Sequence, residues 1–159
     1  MNLSENEIVI RPATNADRAG VQRLVFGVLR EFGLAPDPEG TDADLADIEK
    51  NYIESGGSFE VLLNGEGRLV GTVGLFPLDE TTVELRKMYF APSMRGRGWG
   101  KRLLERMIER ARALGFKRIY LETASVLKQA VRLYEQYGFQ PTTEGIHSER
   151  CDAAYYLDL

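Results

Sequence analysis

The chain carries one cysteine, Cys151, and one histidine, His147, in 159 residues. A lone thiol excludes an internal disulfide, and one Cys with one His leaves a structural zinc site short of ligands. No metal is therefore expected. No apolar run approaches the ~20 residues of a membrane-spanning helix, so no membrane partner is expected either. The first residues, Met1-Asn2-Leu3-Ser4-Glu5-Asn6-Glu7, are polar and acidic and lack a signal-peptide pattern. The cytoplasm is the default address. There is no internal repeat, low-complexity stretch or linker, and the length suits a single domain over 1–159. The apolar fraction of 43% is ordinary for a folded domain and argues against disorder.

Charge is present but unevenly spread. The net charge is −4, yet residues 86–118 hold eleven of the twenty basic residues and only two acids, Glu105 and Glu109. An acidic protein with one basic stripe is a poor general binder of a polyanion, so nucleic acid is not the expected partner. The stripe suits a phosphate-rich ligand better. Its centre is Arg95-Gly96-Arg97-Gly98-Trp99-Gly100-Lys101, between a strand-like run (Val83 to Phe90) and an amphipathic helix (about Gly98 to Leu114). Glycines let backbone N–H groups approach an anion, and a helix start adds unpaired donors and partial positive charge. The Walker pattern fails because single residues separate the glycines and Arg102 follows Lys101. The dinucleotide fingerprint fails because its third glycine comes one residue early.

The remaining elements follow from periodicity. Glu7 to Arg11 reads as a strand. Thr14 and Asp17 form a capping-box-like start, followed by Val21, Leu24, Val25, Val28, Leu29 and Phe32 at helical spacing. Thr41 caps an expected second helix with Leu45, Ile48 and Tyr52. Phe59 to Leu63 and Arg68 to Phe76 flank the turn Asn64-Gly65-Glu66-Gly67. Leu103, Leu104, Met107, Ile108, Ala111 and Leu114 make one apolar helix stripe. Arg118 to Thr123 is a short apolar strand, and Ser125 caps a last helix ending at Gly138. Strands at about Gln140 to Thr143 and Ala153 to Leu157 finish the order β-α-α-β-β-β-α-β-α-β-β, an α+β (mixed α/β) reading.

Arg95, Gly98 and Gly100 satisfy Arg-x-x-Gly-x-Gly, and Ala130-x-x-Leu133-Tyr134-Glu135-x-Tyr137-Gly138-Phe139 follows downstream. Together these blocks resemble the acyl-CoA loop and the C-terminal signature of the GNAT superfamily of N-acetyltransferases. The resemblance covers roughly residues 7 to 158. It implies a splayed, mostly antiparallel sheet flanked by helices, with acetyl-CoA as co-substrate in the wedge. It implies acetyl transfer to a primary amine, on a small molecule or a peptide, by direct attack in a ternary complex. The backbone of Met88, Tyr89 and Phe90 would meet the pantetheine arm. Arg95, with the amides of Gly96, Arg97, Gly98, Trp99, Gly100 and Lys101, would hold the pyrophosphate. Relatives often carry Asn where this chain has Leu127, so that polar contact is either missing or supplied by Ser125 or Lys128. Family members often form homodimers, but no residue here identifies an interface.

Two side chains are catalytic candidates. Strand alternation places Glu84, Arg86, Met88 and Phe90 on one face, and histone-type members carry their catalytic Glu at the place of Glu84. Its ordinary alternative is a strand glutamate paired with Arg86 or Lys87. Tyr134, the tyrosine of the signature, is the acid candidate for the departing thiolate; the alternative is a core aromatic. His147 and Cys151 read as ordinary residues near the C-terminal hairpin; the alternatives are a second base at His147 and an acyl carrier at Cys151. Asp37, Glu39, Asp42, Asp44 and Asp47 would give an acidic mouth that attracts a cationic amine. A competing function is a non-catalytic acyl-CoA sensor on the same fold.

Overall fold

The structure, a computed structural model, describes residues 7–159, so the polar stretch Met1–Asn6 discussed above lies outside the described residues. Among the described residues seven strands form one sheet in the order β1-β2-β3-β4-β5-β7-β6. They are β1 (Val9–Pro12), β2 (Ser58–Leu63), β3 (Leu69–Pro77), β4 (Thr82–Phe90), β5 (Arg118–Thr123), β6 (Gln140–Thr142) and β7 (Ala153–Asp158). All neighbours are antiparallel except β4 and β5. Among the described residues three α-helices accompany them: α1 (Arg18–Glu31), α2 (Trp99–Ala113) and α3 (Lys128–Gln136). No helix among the described residues is long and apolar enough to cross a membrane.

Alternating strand residues feed two apolar clusters on opposite faces of the sheet. On β2, Phe59 and Val61 join Val21, Val25 and Leu29 of α1, whereas Leu62 joins Leu103, Leu104 and Met107 of α2. The α2 stripe is buried as its spacing predicts. Each fully buried Leu or Met there contributes about 2 kcal/mol by leaving water. Arg110 and Arg112 in the last turn suit the negative end of the helix.

Three local expectations are corrected. The segment after Thr41 is not an α-helix: it is a 3₁₀ turn, Ala43–Ala46, followed by a π-helical turn, Glu49–Ile53. Its apolar residues Leu45, Ile48 and Tyr52 are still fully buried, but Asp42, Asp44 and Asp47 bind distant or local partners in place of a regular helix. The last helix starts at Lys128, and Ser125 does not cap it. The Ser125 hydroxyl donates to Asp152 Oδ2 at 2.6 Å, tying the end of β5 to β7. Finally, β4 does not alternate strictly. Thr72 opposes Tyr89 while Gly74 opposes Arg86, so Lys87 and Met88 share one place in the ladder. Lys87 sits in the left-handed region, φ 57°, as a bulge residue can. Val83, Leu85, Met88 and Phe90 therefore pack toward α2, and Tyr89 packs toward α1. Glu84 and Arg86 do not share the face of Met88 and Phe90.

Pairing between β4 and β5 covers only Thr82–Glu84 against Arg118–Tyr120. Beyond it β4 runs on to Phe90 and β5 to Thr123, without pairing to each other. The sheet opens there as a wedge.

Candidate active site

A cleft of about 1120 Å³ fills the wedge. Nine of the ten cofactor-side residues expected from sequence line it, and so do Glu84 and Tyr134; the exception is Arg97. The Arg97 guanidinium donates to the Ser93 carbonyl at 3.2 Å.

The loop between β4 and α2 has the backbone an anion requires. Gly98 stands at the N-cap of α2 with φ 78°, a region that disfavours side chains. A Cβ at Gly98 would meet nothing within 4 Å, so the space beside its Cα is open. The first helical bond runs from the Arg102 N–H to the Gly98 carbonyl. The N–H groups of Trp99, Gly100 and Lys101 thus have no partner within the helix. Gly100 serves packing: a Cβ there would come within 3.3 Å of Leu133 Cδ2 on α3. Trp99 is buried in the α2 cluster with the Arg102 guanidinium 4.1 Å from its ring centroid, so it anchors the helix start. Arg95 forms a bidentate pair with Glu31 at the end of α1, and also donates to the Phe90 carbonyl at 3.3 Å. The hydrogen bonds from Arg95 hold the Glu31 carboxyl below its ordinary pKa.

Tyr134 is 6% exposed, with its ring against Phe139 and Tyr155. Among the described residues its hydroxyl has no hydrogen-bond partner, although the residue lines the cleft. Burial pushes the phenol above its ordinary pKa, keeping it a neutral donor. Glu84 is 7% exposed and accepts from Arg86 Nε at 2.7 Å. Burial raises its carboxyl above the ordinary value, Arg86 opposes this only in part, and nearby Glu122 adds to the rise. A buried carboxylate with a raised pKa is a better proton acceptor than an exposed one.

Sequence reasoning missed Glu122, on the opposite wall of the wedge. It accepts from the N–H groups of His147 (2.8 Å) and Ser148 (3.1 Å) and meets His147 Nδ1 at 3.2 Å. Its signal was a lone acid at the open end of the apolar strand β5. The same contact brings His147 to the cleft and gives it an orienting partner that sequence could not show. Cys151 also lines the cleft, but burial pushes its thiol pKa up, which disfavours the reactive thiolate.

The acidic mouth is not formed. Of its five acids only Asp44 lines the cleft. Asp42 is buried against Lys87 and Arg150, and Asp44 is held by Lys87 and the Tyr52 hydroxyl. Burial alone would raise the Asp42 carboxyl, but hydrogen bonds from Arg150 and the charge of Lys87 outweigh it and lower its pKa to about 2. Of the two stand-ins for the missing Asn, Lys128 lines the cleft, whereas Ser125 is engaged by Asp152.

The sequence model of the Acetyltransferase (GNAT) family matches residues 26–139. The chain belongs to this family. It is 39% identical over 144 residues to an uncharacterized N-acetyltransferase, YjgM, of Escherichia coli (strain K12), covering 87% of this chain and 86% of that one. It spans about half the length of the vertebrate N-acetyltransferase 8 relatives it also matches. A GNAT-family acetyltransferase from Staphylococcus aureus Mu50 superposes with a TM-score of 0.89 at 27% identity, covering 96% of this chain and 99% of that one. A putative acetyltransferase from Salmonella typhimurium, solved with its cofactor acetyl-CoA, shares the fold at a TM-score of 0.74 and 23% identity, with 96% and 94% covered. This GNAT protein is thus an acyltransferase. Among the described residues no three His, Cys, Asp or Glu side chains converge as a metal site.

Proposed function

We propose that this GNAT enzyme, acting as one domain over 1–159, moves acetyl from acetyl-CoA to a primary amine by direct attack with both substrates in the cleft. The observation that carries this reading is one wedge lined by a donor-rich helix start, a buried carboxylate and an unpartnered phenol. Acetyl-CoA supplies an acyl thioester and a thiolate leaving group. The amides from Gly96 to Lys101, with Arg95, hold its diphosphate. The β4 backbone at Met88, Tyr89 and Phe90, unpaired toward β5, meets the pantetheine arm, and one of its N–H groups faces the oxygen that gains charge. Glu84 takes the amine proton, directly or through a water. The new C–N bond replaces the C–S bond, and Tyr134 delivers a proton to sulfur. Glu122 adds a second negative charge that favours a cationic amine.

Coenzyme A release across amines, peptides and amino acids tests this: release is expected only with an amine present. Binding of acetyl-CoA without turnover of any amine would favour the sensor reading. Tyr134→Phe is expected to lower kcat about ten- to a hundred-fold while leaving acetyl-CoA affinity unchanged; full turnover would reduce Tyr134 to packing. Glu31→Gln is expected to bind coenzyme A about three-fold tighter, because it releases Arg95 from an exposed pair. Weaker binding would show that Glu31 orients Arg95 for the ligand.

A further inference from the structure

We infer that Asp42, Lys87 and Arg150 form a buried ionic clamp that positions the amine-binding half of the cleft. The inference rests on the acetyl-transfer reading above. Three chain segments meet at the clamp. Lys87 is the left-handed bulge residue of β4, and its side chain is 5% exposed. Its Nζ lies 3.0 Å from Asp42 Oδ1 and 3.4 Å from Asp44 Oδ1. Asp42 has no exposed side-chain surface and accepts from both terminal nitrogens of Arg150, at 2.7 and 2.6 Å. Its other contacts, the Asp37 N–H at 2.8 Å and, through Arg150, the Ala35 carbonyl at 3.4 Å, tie in the segment after α1.

Stability alone does not account for such a cluster, since apolar residues of like volume commonly hold a fold as well as a buried ion pair does. Its placement does. Lys87 marks the point where β4 turns from Glu84 and Arg86 on one face to Met88 and Phe90 on the other. Arg150 anchors the loop whose His147 and Ser148 amides hold Glu122. One cluster thus fixes the aim of both carboxylates without touching the Gly96–Lys101 loop.

Lys87→Met keeps the buried stem and leaves Asp42 paired with Arg150, and circular dichroism with a melting curve establishes that the variant is folded before any readout is scored. Calorimetry with coenzyme A should give an affinity within about two-fold of wild type. With the fastest acceptor among spermidine, a lysine-containing peptide and an α-amino acid, KM for the amine should rise at least about ten-fold, with Lys87→Arg restoring much of it. Amide hydrogen exchange should quicken in 35–46 and 146–151 and stay unchanged in α2. Arg150→Lys, which keeps charge but loses the fork, should shift the same readouts. An unchanged amine KM and unchanged exchange in folded Lys87→Met, or a parallel fall in coenzyme A affinity, would overturn the clamp. If wild-type protein binds no coenzyme A, the acetyl-transfer reading fails, and hydrogen exchange still decides whether the clamp holds these segments.

Discussion

Gly98→Asp is expected to weaken coenzyme A binding about a hundred-fold or more. The substitution places a carboxylate on the open side of the helix start, where a Cβ meets no neighbour within 4 Å. A negative charge about 4 Å from a diphosphate in partly screened surroundings costs on the order of 3 kcal/mol, close to a hundred-fold in affinity. Gly98→Asn separates charge from shape, because Asn and Asp both tolerate the left-handed backbone found there. Calorimetry should show Asn weakening binding far less than Asp, with melting temperatures of the two variants alike. Equal, mild losses in both would place the diphosphate elsewhere.

Glu84→Gln is expected to lower kcat/KM at least about a hundred-fold near neutral pH, in the range of one lost general base. The pH profile carries the sharper information. Burial raises the Glu84 carboxyl above its ordinary value of 4.5, so wild-type kcat/KM should climb with pH through that raised pKa. The variant should lack this limb and follow only the amine's own deprotonation. The sign for stability is the reverse of that for an ordinary paired carboxylate. A folded-state pKa above the unfolded one stabilises the fold below about pH 4.5, and this contribution is lost as pH rises through the folded value. The loss of melting temperature in Glu84→Gln relative to wild type should therefore be larger near pH 4 than above the raised pKa. An unchanged profile would remove Glu84 from the mechanism and pass its role to Glu122 or water.

Much of this architecture is local and could be read from the chain. Gly98 shapes the start of α2 through its left-handed backbone, which glycine spacing reports directly. The α2 stripe and the short strand β5 follow from periodicity. What escaped depends on partners distant in sequence. The bulge at Lys87 is invisible because lysine carries no turn signal, and register is set by Thr72 and Gly74 across the ladder. The helix expected after Thr41 fails because Arg150, 108 residues from Asp42, and Lys87 capture its acids. Ser125 has a cap-like position but finds Asp152, 27 residues away. Glu122 and His147 make no motif and meet only when the C-terminal loop folds over β5.

Backbone amide chemical shifts, recorded while coenzyme A and then pantetheine are titrated into labelled protein, test the diphosphate cradle most directly. Coenzyme A should move the amides from Gly96 to Lys101 most strongly, and pantetheine, which has no diphosphate, should leave them near their free positions while shifting Met88 to Phe90. Loop amides that respond equally to both ligands, or to neither, would contradict the assignment of this helix start as the anion site.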